Sequence, residues 1–201
     1  MATSVGAEDD AIASWCAANG AACVRGSRDD VLARFVDALE KHPSATAVRV
    51  TADCPLLDVD VLVDLHAALE RSGADYASIA PPWPLGLASE AFRVAALREV
   101  ERLTAGGSPE FLAAREHVTL WLYRRPDLFR SVTVERRHPF DEPLPRLTLD
   151  EEEDYALLRE VVARFPTGAN PSSAELADLF RREPRLRLVN ARVAQRVVPS
   201  R

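Results

Sequence analysis

The sequence predicts an α/β fold in which a parallel β-sheet is covered by helices. Over the first 80 residues, amphipathic helical segments alternate with short β-branched segments, and this alternation is typical of parallel sheets. A length of 201 residues with 47% hydrophobic residues suits a single core at about 150 residues per domain. We therefore predict one domain over residues 1–190, followed by a loose basic tail over residues 191–201.

The charge balance and the cysteines restrict the class of protein. There are 25 Lys and Arg residues against 31 Asp and Glu residues, so the net charge is −6, which disfavours a nucleic-acid binder. No segment approaches the roughly 18 to 20 apolar residues of a membrane span, and the acidic N-terminus resembles no export signal. Three cysteines without a Cys-x-x-Cys pair indicate neither a disulfide framework nor a thiolate zinc site. We expect a cytoplasmic protein without nucleic-acid or membrane partners.

The first half of the chain contains three predicted helices and three predicted strands, each marked by capping residues or hydrophobic spacing. In order, they are a helix from the acidic cap at Asp9 and Asp10 to Gly20, a strand over 21–24, a helix capped by Ser27 and ending near His42, a strand over 45–51, a helix from Asp58 to Gly73, and a strand over 76–80. Ligands of such sheets bind beyond the carboxyl ends of the strands. Asp53 would lie at that edge.

The second half of the chain is less regular. A proline-rich segment over 81–84 is interpreted as part of a substrate loop. The later elements are predicted as helices over 94–103, 109–123 and 151–165, strands over 131–136 and 146–149, a helix from the cap Ser173 to Arg182, and a closing segment over 186–189. Because the strand over 146–149 stops at Asp150, a second aspartate follows a strand.

Asp53 and Asp150 are the strongest candidates for chemistry. Two carboxylates at the ends of separate strands can converge above a parallel sheet, where they would hold Mg²⁺ against phosphates. The alternative is that each aspartate caps the turn that follows it, and the spacing alone favours this alternative. His117 has no His or Cys companion at metal spacing, so a hydrogen-bonding role is the simpler interpretation. P-loop, Gly-x-Ser-x-Gly and His-Glu-x-x-His motifs are absent from the sequence, which disfavours the enzyme classes they mark.

A set of short strings occurs in the order found in one enzyme family. The strings are ATS at 2–4, DDAI at 9–12, RGSRDDVL at 25–32, RVTADCPL at 49–56, EAF at 90–92, REHVT at 115–119 and LTLD at 147–150, followed by Asp154. Together they resemble the cytidylyltransferases of the spore-coat-polysaccharide type, a group similar to the enzymes that activate sialic acid and ketodeoxyoctonate as CMP-sugars. The resemblance covers nearly the whole chain. RGSxDDVL and TADCP are specific in combination.

The resemblance implies a three-layer α/β/α nucleotide-diphospho-sugar transferase fold of the Rossmann-like type. It also implies Mg²⁺-dependent transfer of CMP from CTP to a sugar or sugar acid, for surface polysaccharide, glycan or secondary-metabolite biosynthesis, and it suggests a homodimer. The implied site residues are Asp53 and Asp150 for catalysis and metal binding, Arg25, Ser27, Asp30, Thr51 and Ala52 for the nucleotide, and Glu90, Glu116 and His117 for the acceptor sugar.

The sequence departs from this family in two places. Family members begin with a strand and a triphosphate-wrapping loop of the type Ala-Arg-x-Gly-Ser-x-Arg-Leu-Pro-Gly-Lys, which is missing here. We expect an N-terminally truncated fold, explained by a start site assigned too late, and inactivity without that segment. Ala88 stands where relatives often carry Asp, so the acceptor specificity would differ.

Two alternative functions remain. One is a catalytically silent domain that binds a ligand or partner. The other is a Mg²⁺-dependent phosphohydrolase, which is disfavoured because this sequence has no nucleophilic Asp motif at a first strand.

Overall fold

The computed structural model describes residues 1–194, so residues 195–201 of the predicted tail lie outside the described residues. The chain divides into two compact units, each assembled from separate segments. Unit 1 comprises Met1–Ala47, Leu69–Ala77 and Ala91–Val132, and unit 2 comprises Val48–Ala68, Ser78–Glu90 and Thr133–Arg201. One domain over residues 1–190 stays a prediction. Within residues 1–194, no helix combines the length and the apolar character needed to cross a bilayer.

Helices and strands alternate along the chain, as the sequence predicts. The strands are β1 (Ala2–Ser4), β2 (Val24–Gly26), β3 (Thr46–Arg49), β4 (Tyr76–Ile79), β5 (Glu90–Arg93) and β6 (Ser131–Val134). The helices are α1 (Asp10–Ala18), α2 (Val31–Lys41), α3 (Val59–Ser72), α4 (Val94–Leu103), α5 (Pro109–Glu116), α6 (Leu120–Arg124), α7 (Glu152–Val162) and α8 (Ser173–Arg182), with 3₁₀ helices at Ala7–Asp9 and Pro184–Leu188.

Two sheets organise the strands. β1 and β2 form a parallel pair with Thr3 opposite Arg25, and the other four strands form a sheet in the order β3-β5-β4-β6. Backbone hydrogen bonds at both ends show that β4 and β6 are parallel, whereas bonds from the end of β5 reach the starts of β3 and β4. β5 is therefore antiparallel to its neighbours. The sequence did not indicate this strand, because it follows directly on the predicted loop and leads straight into α4.

The core of unit 1 forms around one face of α2. Leu32 and Val36 of this helix are buried with Phe92 of β5 and Leu97 of α4. The partly buried side chains of Val31, Phe35 and Leu39 pack against the same cluster. This is the helical spacing that the sequence predicts, since residues three and four apart share a face. The apolar face of α2 therefore fixes the helix that begins at the predicted nucleotide string.

In unit 2, a single buried carboxylate joins the starts of two helices. Asp58 precedes α3, is 2% exposed, and accepts a hydrogen bond from the backbone N–H of Asp60 at 2.9 Å. It also accepts from the backbone N–H of Ser173 at 3.1 Å and from the Ser173 hydroxyl. The predicted cap of α3 is thus confirmed. Its carboxylate also accepts hydrogen bonds from the first residue of α8, which lies 115 positions away along the chain.

The predicted helix over 109–123 is wrong in one respect, because the structure breaks it into α5 and α6. Val118 has φ +53°, and the N–H of Thr119 donates to the carbonyl of His117 at 2.5 Å, which is the hydrogen bond of a γ-turn. A β-branched residue rarely adopts a positive φ, so the local sequence gives no warning of this turn. His117 consequently lies at the end of α5 and not within a helix.

The predicted strand over 146–149 is also wrong as a strand. The structure has one parallel bridge between Leu85 and Arg146, with the N–H of Leu147 donating to the Leu85 carbonyl at 2.8 Å. Gly86 lies against this segment with φ +91°, and a Cβ at its position would collide with the Leu147 carbonyl. The segment before Asp150 therefore pairs with residue 85 through one bridge and does not form a regular strand.

Three predicted caps differ from the observed ones. Asp9 makes no side-chain cap to α1, because its carboxylate accepts from Thr3 and Ser4 of β1. α2 is capped by Asp30, while Ser27 accepts from the N–H of Asp30 in the preceding turn. α8 is capped by Ser172, one residue before the predicted Ser173. The predicted glycine stops after α1 and α3 are confirmed by positive φ angles at both positions.

Replacement of Asp58 by alanine should destabilise the protein by about 3 kcal/mol. The change removes a helix cap, worth about 1 kcal/mol, and leaves buried donors of Ser173 without their acceptor at about 1–3 kcal/mol. Urea unfolding followed by circular dichroism measures the loss. Asp60→Ala, in the exposed first turn of the same helix, should cost less than about 1 kcal/mol. Equal losses in the two variants would contradict the role of Asp58.

Acid should unfold the protein partly through Asp9. Hydrogen bonds from Ser4 and Thr3 lower the pKa of Asp9 from 3.8 to about 2, so the unfolded chain takes up this proton at higher pH than the folded one. Stability is then present above pH 4 and is lost as the pH falls from about 4 towards 2. Carboxyl resonances followed by NMR titration check the pKa, and Asp9→Asn should flatten the acid limb of the stability profile.

Candidate functional site

In unit 2, the structure places the two aspartates that follow β3 and the 146–149 segment side by side. The N–H of Leu149, immediately before Asp150, donates to the backbone carbonyl of Asp53 at 2.8 Å. The two loops are therefore joined by their backbones next to both carboxylates. The expected convergence of Asp53 and Asp150 rests on this one hydrogen bond, although the 146–149 segment is not a regular strand.

Cys54 lies beside Asp53 in the loop that follows β3. Its Sγ accepts from the Thr51 hydroxyl at 3.2 Å and donates to Asp53 Oδ1 at 3.5 Å. Burial, together with the negative charges of Asp53 and Asp150, raises the pKa of the Cys54 thiol to about 11, although the Thr51 hydrogen bond lowers it. Ala52 is exposed between them. Thr51, Ala52, Asp53 and Asp150 thus belong to one cluster, which we call the carboxylate edge.

Asp150 is held by a buried ion pair. The carboxylate of Asp154 is fully buried and pairs with Arg146 at 3.1 Å, and the same guanidinium also contacts Asp150 Oδ2. Burial alone would raise the pKa of Asp154, but hydrogen bonds from Arg146 and Asn190 outweigh it and hold this pKa below its usual range. The site therefore contains, behind Asp150, a buried carboxylate that favours its charged form.

The carboxylate edge suits a magnesium ion that is bound jointly by protein and nucleotide. Among residues 1–194, no group of three or more His, Cys, Asp or Glu side chains is arranged to hold a metal, so a cage made of protein ligands alone does not fit. Mg²⁺, however, is usually bound by one or two carboxylates together with substrate phosphates and water. Asp53 and Asp150 are the two carboxylates at this edge that would fit such a site, and both exert their charge on the same thiol.

In unit 1, the side chain of Arg25 is committed to the loop after β1. Its Nε donates to the Ser4 carbonyl and its Nη2 to the Gly6 carbonyl, both at 2.8 Å. Nη1 forms an ion pair with Asp10, also at 2.8 Å. The guanidinium therefore clamps the turn between β1 and α1. This places Arg25 as a shaping residue of the predicted nucleotide segment.

Ser27 and Asp30 lie in the turn that leads into α2. Asp30 accepts from the N–H of Ala33 at 3.0 Å and receives the Arg115 Nε at 2.7 Å. Ser27 is exposed and accepts from the Asp30 N–H at 3.2 Å. Arg115 belongs to the REHVT string, so the structure joins two of the strings that carry the family resemblance.

The three predicted acceptor residues lie in different surroundings. Glu90, at the start of β5 in unit 2, forms a partly buried ion pair with Arg49. Glu116 is the exposed last residue of α5 in unit 1, and His117 caps that helix beside the γ-turn. Positive-φ strain at a non-glycine residue is frequent near functional sites, which makes the turn at Val118 a marker for this segment.

Sequence reasoning missed the basic partners of the predicted carboxylates. Arg146 pairs with Asp150 and Asp154, Arg49 with Glu90, and Arg115 with Asp30. One signal was available, because Arg146, Asp150 and Asp154 are spaced four residues apart. The acidic first turn of α7 hid this spacing, because acidic residues at a helix N-terminus are already explained by their favourable interaction with the helix dipole.

Residues 1–185 match the family model described as cytidylyltransferase. The chain is 32% identical over 184 residues to the Bacillus subtilis spore coat polysaccharide biosynthesis protein SpsF, covering 92% of this chain and 75% of that protein. It is also 31% identical over 196 residues to the uncharacterized protein MJ1063 of Methanocaldococcus jannaschii, covering 98% of this chain and 78% of the relative. The chain belongs to the cytidylyltransferase family.

A solved structure agrees on the fold. The chain superposes on a cytidylyltransferase from Leptospira borgpetersenii with a TM-score of 0.81 at 22% identity, covering 96% of this chain and 79% of that one. The predicted fold class, an α/β nucleotide-diphospho-sugar transferase fold of the Rossmann-like type, is confirmed. At this level of identity the likeness concerns the fold alone.

Neutralising either aspartate of the carboxylate edge should make Cys54 more reactive. Because the negative charges of Asp53 and Asp150 raise the pKa of the thiol, Asp53→Asn and Asp150→Asn should each lower it and increase the thiolate fraction at pH 8. Iodoacetamide labelling of the Cys54 peptide, followed by mass spectrometry, should run several-fold faster in both variants. Asp60→Asn is the control and should label like the parent. An unchanged rate in Asp150→Asn would separate Asp150 from this cluster.

Proposed function

We propose that the protein transfers CMP from CTP to a sugar or sugar acid with the help of Mg²⁺. The observation that carries the proposal is the backbone hydrogen bond that joins the loops of Asp53 and Asp150, in a chain of the cytidylyltransferase family. A pair of carboxylates at one edge of a sheet, in a fold that handles nucleotides, is suited to phosphate chemistry. The activity is therefore a nucleotidyl transfer.

In this reaction a hydroxyl oxygen of the acceptor forms a bond to the α-phosphorus of CTP. The bond between that phosphorus and the bridging oxygen breaks, pyrophosphate leaves, and the hydroxyl proton passes to solvent. Asp53 and Asp150 would hold Mg²⁺, which supplies positive charge to offset the charge on the phosphates. Asp150 is suited to this role because Arg146 restrains its carboxylate.

The remaining predicted residues divide between nucleotide and acceptor. Thr51 and Ala52 adjoin the carboxylate edge and would contact the nucleotide. Arg25, Ser27 and Asp30 would act by shaping the nucleotide segment, since their side chains bind backbone groups and neighbouring charges of unit 1. Glu90, Glu116 and His117 would face the acceptor hydroxyls, for which carboxylates and imidazole are ordinary hydrogen-bond partners.

We place the reaction in the cytoplasm, where CTP is available, as the activation of a sugar for a surface polysaccharide, a glycan or a secondary metabolite. The support is the relative from Bacillus subtilis that is named for spore coat polysaccharide biosynthesis. A homodimer is part of the same proposal.

A second candidate is a catalytically silent domain that binds a nucleotide sugar or a partner. One observation favours it, because the carboxylates of Asp150 and Glu90 are both already paired with arginine. A site whose carboxylates are paired in this way would bind its ligand without transferring CMP. The two candidates differ in whether pyrophosphate is released.

Calorimetric titration of CTP in the presence of Mg²⁺ tests the proposal first. We expect CTP to bind more tightly than UTP, and a pyrophosphate-release assay with a panel of sugars and sugar acids to identify the acceptor. Asp53→Asn and Asp150→Asn should each lower the rate at least about 100-fold, because the metal contributes several kcal/mol and each 1.36 kcal/mol is a factor of ten. Asp60→Asn should keep the parent rate.

The same assays are run on a chain that carries the triphosphate-wrapping loop upstream in the same reading frame. Binding of CTP without pyrophosphate release from either chain, over the whole acceptor panel, would support the silent domain. Absence of CTP binding in both folded chains would overturn the proposed function.

A further inference from the structure

We propose that Arg146 is a positioning residue, which fixes the carboxylate of Asp150 for the divalent cation by linking it to the buried carboxylate of Asp154. The inference rests on the proposed function, because it concerns the metal-binding carboxylate of that reaction. It adds a residue whose role is exerted through Asp150.

Asp154 is the fixed point of the arrangement. Its side chain is fully buried, and a buried carboxylate is costly unless hydrogen-bond donors surround it. Arg146 donates to it through Nε and through Nη2, both at 3.1 Å. The amide of Asn190 adds a donor at 2.8 Å. With its donors supplied from the 146–151 segment and from Asn190, the carboxylate is held in one orientation.

The backbone of Asp150 is tied to the same carboxylate. The N–H groups of Asp150 and Glu151 both donate to Asp154 Oδ2, at 3.1 and 3.2 Å. At the other end of the segment, Asn190 donates to the Arg146 carbonyl at 3.0 Å. The backbone from Arg146 to Glu151 is therefore anchored at one end by Asn190 and at the other by the Asp154 carboxylate.

Arg146 links the buried carboxylate of Asp154 to the side chain of Asp150. Its side chain is 11% exposed and that of Asp150 is 40% exposed, so the guanidinium connects a buried carboxylate to an accessible one. Nη2 binds Asp154 Oδ2 and Asp150 Oδ2, and among residues 1–194 this leaves Asp150 Oδ1 for a cation. A planar guanidinium can hold two carboxylates at a fixed angle, whereas a lysine ammonium cannot.

The substitution Arg146→Lys isolates this role. Lysine keeps the positive charge, so the electrostatic repulsion felt by a cation is unchanged, but the forked geometry is lost. Residues that orient a metal ligand typically change metal affinity by about 10- to 100-fold when they are replaced. We expect Mn²⁺ alone to bind Arg146→Lys at least about tenfold more weakly than the parent protein. The readout is Mn²⁺-induced broadening of the amide signals of residues 53 and 150 in ¹H–¹⁵N NMR spectra.

Arg164→Lys is the matched control. Arg164, just after α7, also holds one carboxylate through Nε and Nη2, which donate to Glu183 at 3.2 and 2.9 Å. This variant should bind Mn²⁺ like the parent. Asn190→Ala is a milder test, because it removes one donor to Asp154 and one to the Arg146 carbonyl but keeps the Arg146 guanidinium. Asn190→Ala should weaken Mn²⁺ binding by a smaller factor than Arg146→Lys does. It provides the test if Arg146→Lys does not fold.

The outcomes separate this inference from the proposed function. If the parent binds Mn²⁺, Asp150→Asn does not, and both Arg146→Lys and Asn190→Ala bind like the parent, the positioning role is overturned while the metal site stands. If binding survives in both Asp53→Asn and Asp150→Asn, or is missing in the parent with and without CTP, the metal assignment fails and this inference fails with it. Lower thermal stability of Arg146→Lys with unchanged Mn²⁺ affinity would indicate a purely structural role.

Discussion

The buried ion pair between Arg146 and Asp154 is the interaction on which the candidate site of unit 2 depends. Removing a carboxylate from water costs several kcal/mol, and the structure offsets this with the guanidinium, with two backbone N–H groups and with the amide of Asn190. Those donors belong mostly to the segment that carries Asp150. The same contacts that stabilise the buried charge therefore also fix the backbone next to the metal-binding candidate. The hydrogen bonds to Asp154 thus stabilise the fold and also position the candidate metal ligand Asp150.

Long helices with regular apolar spacing were predictable from the sequence, and α4 has the predicted bounds of residues 94–103. Local signals were enough there, because one buried face and the residues at its ends define the helix. The γ-turn at Val118 was not predictable, since it places a β-branched residue where its own backbone preference opposes it. Asn190 could not be inferred as a partner of Asp154 either, because it lies 36 residues away along the chain.

The family resemblance and the geometry give different kinds of information about the RGSRDDVL string. The resemblance indicates where a nucleotide segment lies, and the family is confirmed over residues 1–185. The structure shows that Arg25 and Asp30 already have partners within unit 1, which are backbone carbonyls, a helix N-terminus and Arg115. A residue can thus define a binding segment by holding its shape.

The division into two units has a consequence for how the protein is made. The chain passes from one unit to the other at five places, and all segments of unit 1 precede residue 133. When residue 132 has left the ribosome, unit 1 has all its segments, while unit 2 still lacks the segment that begins at Thr133 and contains α7, α8 and Asp150. Unit 1 can therefore complete its core first during translation, and neither unit can be released by a single cut in the chain. The carboxylate edge is assembled last, after most of the polypeptide has been synthesised.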